Sequence, residues 1–62
     1  MKYVKFNYCG ETVYSAVYSI ETTEYGTFYL IKINESQQFF KRNDATTEVS
    51  KEEYLASLIL ES

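Results

Sequence analysis

Between residues 2 and 42 apolar side chains recur at every second position, as in Val4 and Phe6, then Tyr14, Ala16, Tyr18 and Ile20, then Tyr29, Ile31 and Ile33. A period of two places such residues on one face of a β-strand. Tyr, Phe, Val, Ile and Thr dominate the stretch, and these residues suit a pleated, half-buried surface. Gly10, Gly26 and the polar run Asn34-Glu35-Ser36-Gln37 punctuate it. Four strands are therefore predicted over residues 2–8, 12–23, 27–33 and 38–42, followed by a turn or loop over 43–47.

Beyond that loop the signal changes to a helical one. Ser50 and Glu53 have the spacing of a capping box, in which the Ser hydroxyl accepts from the residue-53 N–H and the Glu carboxylate reaches back to the residue-50 N–H. Val49 and Tyr54 occupy the positions of a hydrophobic staple, and Glu52 and Glu53 set negative charge at the positive end of the helix dipole. Tyr54, Leu55, Leu58 and Ile59 form one apolar stripe. A helix this short is marginal in isolation, so its stripe must pack on the sheet. The expected fold is α+β: a four-stranded antiparallel β-meander with one C-terminal amphipathic α-helix packed on one face (ββββα). Residues 1–62 are read as a single small domain.

Turn lengths set the expected register, because a slip of one residue sends every side chain to the opposite face. A two-residue Tyr25-Gly26 turn pairs Ile20 with Ile31, and a turn around Glu35-Ser36 pairs Ile31 with Phe40. A three-residue first loop ending at Gly10 puts Val4 and Phe6 on the face of Tyr14 and Ala16. These choices converge on a buried face of Val4, Phe6, Tyr14, Ala16, Tyr18, Ile20, Tyr29, Ile31, Ile33 and Phe40. They expose the other face, where Val17, Phe28, Leu30 and Phe39 would form an apolar patch. A patch of that kind suggests a protein partner or a homodimer.

Composition narrows the chemistry. Sixty-two residues support one core, and the single cysteine and absence of histidine remove the disulfide and zinc staples common in small domains. A lone cysteine fits a reducing compartment, so a cytoplasmic location is expected, a host cytoplasm if the gene is a phage's. No charged-then-apolar leader and no run of about 20 apolar residues is present, and neither signal peptide nor membrane anchor is expected. Cys9 has no histidine to activate it, Glu52 and Glu53 are accounted for as capping residues, and neither glycine belongs to a phosphate-binding motif. The reading is of a chain with no catalytic residue, no metal and no cofactor.

Charge completes the picture. The formal charge is −3, which disfavours direct nucleic-acid binding, since that requires phosphate neutralisation. Stacking of bases on Tyr3, Phe28 and Phe39, beside Lys5, Lys32 and Lys41, is the lower-ranked alternative. In a meander, Glu21, Glu24, Asp44 and Glu48 gather at one end with Lys2 and Arg42 as the main offsets, an acidic cluster able to oppose an Arg/Lys-rich groove. The leading expectation is thus a small acidic binding protein that is not an enzyme and acts by protein contact. Phage or mobile-element inhibitors of host nucleic-acid machinery, of anti-restriction or anti-CRISPR type, have this economy. A structural or self-assembling homodimer module is the alternative.

Overall fold

The computed structural model describes residues 1–60. The strands are β1 (Tyr3–Tyr8), β2 (Glu11–Ala16), β3 (Ser19–Thr23), β4 (Gly26–Asn34), β5 (Gln37–Arg42) and β6 (Thr47–Val49). A 3-10 turn, Asn43–Ala45, separates β5 from β6, and helix α1 (Lys51–Leu60) ends the described chain. The α+β class, the antiparallel pairing and the C-terminal helix are as expected. The single four-stranded meander is not: the strands form two three-stranded sheets, ordered β2-β1-β6 and β3-β4-β5.

The two sheets share one run of chain, read from sequence as the single strand 12–23. At its middle the Val17 N–H donates to the Lys2 carbonyl of the first sheet, and the next N–H, of Tyr18, donates to the Leu30 carbonyl of the second. The strand therefore turns a corner and changes sheet between two adjacent residues. The expected loop over 43–47 leads into an unforeseen strand, Thr47–Val49, which returns to pair with β1, Tyr3 opposite Val49.

The first hairpin departs from its expected register by one residue. Tyr8 pairs with Glu11 and Phe6 with Val13, leaving a two-residue loop. Cys9 and Gly10 both take positive φ, 54° and 81°, the requirement of a type I′ turn whose twist matches that of the strands. Val4 and Phe6 consequently share a face with Val13 and Ser15, while Tyr14 and Ala16 point the other way with Tyr3 and Lys5. In the second hairpin the loop is Glu24-Tyr25, not Tyr25-Gly26, so Ile20 pairs with Tyr29 in place of Ile31. That shift of two preserves the faces, and the positive φ falls on Gly26 at 130°.

The third hairpin holds the decisive difference. Asn34 pairs with Gln37, the register expected of the turn, but Lys32 pairs with Gln38, so Ile33 is an extra residue in β4. This bulge moves the rest of the ladder by one residue. Ile31 then lies opposite Phe39, and Phe40 opposite Leu30. The turn itself is fixed by the Asn34 side chain, whose Oδ1 accepts from the Ser36 N–H and hydroxyl, each at 2.9 Å.

Three layers result. Val4, Phe6 and Val17 meet Ile31, with Val13, Tyr29 and Phe39 packed around them, and this is the core between the sheets. Phe6 and Phe39 meet edge to face, with centroids 6.2 Å apart. Val4 and Ile31 are wholly buried, each contributing about 1.5–3 kcal/mol by the usual burial scale. Of the expected buried face, Val4, Phe6, Ala16 and Ile31 are buried, whereas Tyr18, Ile20 and Phe40 are about half exposed. Helix α1 covers the other face of the first sheet, stacking Tyr54 on Tyr3 at 4.6 Å. Among the described residues, no helix or second sheet is layered on the outer face of the β3-β4-β5 sheet.

Candidate functional site

The helix begins as its sequence indicates: the Ser50 Oγ accepts from the Glu53 N–H at 3.1 Å. The second half of the capping box is replaced by tertiary contacts. Glu53 accepts instead from the Tyr14 hydroxyl at 3.4 Å and pairs with Lys5 at 3.8 Å. The helix is rotated from its expected stripe. It rests on the sheet through Tyr54 and the buried Ser57, whose hydroxyl is satisfied by the Tyr54 carbonyl at 2.6 Å. Leu55 and Leu58, expected to be core, remain 44% and 46% exposed.

The rotation opens a groove of about 260 Å³ between α1 and the bulged end of β4. Tyr14, Ser15 and Tyr18 form its floor, Tyr54 and Leu58 one wall, and Lys32 to Glu35 the other. The Lys32 ammonium sits 4.7 Å from the centre of the Tyr18 ring, a cation–π contact. Tyr54 has its pKa held above the usual tyrosine value, by burial first and then by Tyr18 and Tyr3. Tyrosine supplies area and a hydrogen-bonding tip at low entropic cost, which is why it is enriched where proteins bind one another. Reading the sequence missed this groove. Its only signal was the number of tyrosines, seven, of which alternation assigned Tyr14, Tyr18 and Tyr29 to the core.

The expected apolar patch is redistributed. Val17 is buried in the core and Phe39 packs against it, because the strand corner turns the first inward and the bulge turns the second. Phe28 and Leu30 stay on the outer face of the β3-β4-β5 sheet, joined there by Phe40 at 48% exposure. The base-stacking trio does not share a face: Tyr3 lies under Tyr54, Phe39 is beside Phe6, and only Phe28 faces outward.

The acidic group divides between the two sheets. Glu21 lies in β3 opposite Phe28, and Glu24 in the following turn. Asp44 accepts from the Arg42 Nε at 3.3 Å. Glu48 lies in β6 of the other sheet and pairs with Lys2 at 3.3 Å, so the two expected offsets each take one acid. The Lys2 ammonium also reaches the Tyr29 hydroxyl, and its pKa is raised by hydrogen bonding to Glu48 and Tyr29. Cys9 is a free, exposed thiol at the first turn. Among the described residues no group of three or more His, Cys, Asp or Glu is placed to hold a metal ion, and no helix is long and apolar enough to cross a membrane. No protein family, curated protein or solved structure matches the chain.

Proposed function

We propose that the chain is a non-enzymatic protein-binding module that takes a segment of a larger protein into the groove between α1 and β4. One observation carries this reading: the helix spends Tyr54 and Ser57 on the sheet and leaves Leu58 half exposed at the rim of a tyrosine-lined groove. An apolar rim around aromatic side chains and one cation is the composition of a contact hot spot. The volume of about 260 Å³ suits one or two side chains better than an enclosed metabolite.

The net charge of −3 extends the proposal to the class of partner. Glu21 in β3 and Glu24 in the turn after it favour a partner with a basic surface, such as a protein that handles nucleic acid. Inhibition of such machinery by a phage or mobile-element protein is the specific form of this reading. Capture on the immobilised chain tests it. The expected result is a nucleic-acid-binding protein retained by the native chain, lost with Leu58→Asp, and displaced by its own DNA or RNA. A partner that survives Leu58→Asp would remove the groove from the reading. One that tolerates Glu21→Lys with Glu24→Lys would remove the acidic surface.

A further inference from the structure

We infer that the outer face of the β3-β4-β5 sheet is the interface for a second copy of this chain, packed face to face about a two-fold axis running along β4. This face shares Lys32 with the groove wall and Glu21 with the acidic hairpin, but the inference does not depend on what the groove binds.

The cross-strand rows of this face are self-complementary under that axis. One row reads Glu21, Phe28, Arg42 from β3 to β5, and the next reads Ser19, Leu30, Phe40. A two-fold axis along the central strand maps β3 of one copy over β5 of the other and keeps each row opposite itself. Glu21 then lies over Arg42 of the second copy, twice per dimer. Phe40, the large exposed ring, lies over Ser19, the smallest residue of its row. Phe28 meets Phe28 and Leu30 meets Leu30 at the axis, the isologous arrangement of a two-fold dimer. A row with like charges at both ends, or with bulk at both ends, would clash under the same operation.

The side chains at the periphery agree. A Cβ built on Gly26 would stand 3.6 Å from the Arg42 guanidinium, which places that group over the outer face. Asp44 engages its Nε at 3.3 Å, and a guanidinium offers five N–H donors. Lys32 would lie near its own copy at the axis, but its ammonium is drawn toward Tyr18. The second copy's Gln38, opposite Lys32 in the ladder, is brought over that side by the same operation. Stacked sheets sit about 10 Å apart at a modest angle, so the row pairing holds best near the axis. Three strands make a small face, and interfaces below about 1,000 Å² in total are weak. The dimer is therefore expected to be weak.

Sedimentation across a concentration series, with circular dichroism to verify folding, tests this directly. The native chain should pass from monomer to dimer in the micromolar range. Glu21→Arg alone and Arg42→Glu alone should each be monomeric, since each homodimer then opposes like charges twice. Mixed in equal amounts, the two variants should form a heterodimer, in which both contacts are again of opposite sign. A native chain that stays monomeric at high micromolar concentration overturns the inference. So does a dimer that persists in both charge variants, which would place the interface on another face. If the mixture fails to associate although both variants are folded, the two-fold pairing of Glu21 with Arg42 is wrong.

Discussion

The backbone N–H of Lys32 donates to the Oγ of Ser15 at 3.0 Å, joining β4 of one sheet to β2 of the other. The same hydroxyl donates to the Ala16 carbonyl at 2.7 Å, and Ser15 is buried. A buried N–H left without a partner costs about 1–3 kcal/mol. Ser15→Ala should therefore lower stability by about that amount, read as a shift in the urea midpoint with an unchanged slope. Ser19→Ala, on an exposed position, should change it by less than about 0.5 kcal/mol.

Phe39 and Phe40 separate the observed register from the one the turn alone implies. Phe39→Ala removes a ring that packs on Phe6 and the core; since Phe39 is only partly buried, the loss should approach the ~3 kcal/mol low end for core phenylalanine. Phe40→Ala should cost the monomer well under half as much, because its ring is largely on the surface. Urea unfolding at low protein concentration distinguishes them, and equal losses would contradict the bulge at Ile33.

That pair also shows how far the sequence could be read. The strands near residues 2–8, 27–33 and 38–42, the turn at Asn34–Gln37 and the Ser50 cap follow from local chemistry and stand in the structure, whereas the single strand 12–23 is broken in two and Thr47–Val49 was not foreseen. Faces do not follow from local chemistry, because they depend on parity summed over each hairpin. One bulge residue, Ile33, exchanged the roles of two adjacent phenylalanines, and one non-glycine at positive φ, Cys9, turned Tyr14 from the core to the helix. Aromatic residues tolerate either side of a small sheet, so composition offered no veto. The groove was illegible for the same reason: it exists only once Tyr14, Tyr18 and Tyr54 are all placed on the helix side of the corner.

Cys9 holds φ at 54°, a conformation that costs an ordinary L-residue about 1–2 kcal/mol. Asn is the residue that best tolerates it beside Gly10 in a type I′ turn. Cys9→Asn should stabilise the chain by about 1 kcal/mol and raise Tm by about 4–8 °C. Nothing lies within 4 Å of a Cβ built on Gly10, so Gly10→Ala should lower Tm by backbone conformation alone. Scanning calorimetry under reducing conditions checks both.

Tyr54 and Lys2 set the alkaline limit. Both have folded-state pKa values raised, Tyr54 chiefly by burial and Lys2 chiefly by its hydrogen bond to Glu48. The unfolded chain gives up these protons first, so the stabilisation is complete below the unfolded values, near 10 for tyrosine and 10.5 for lysine. It is lost as pH rises through the folded values. Melting temperature should fall above about pH 10, and Tyr54→Phe should make that fall shallower. An identical slope in the variant would show that Tyr54 carries none of it.

The strand corner at Val17 and Tyr18 has a consequence for how this protein answers a ligand. Since adjacent amides are bound to opposite sheets and both sheets contribute to the core of Val4, Phe6, Val17 and Ile31, the chain is expected to unfold in a single transition. A molecule held on either side therefore shifts the melting of the whole chain, by RT ln(1 + [L]/Kd). Thermal-shift screening accordingly detects an occupant of the groove or of the outer sheet face alike, before anything is known of where it sits.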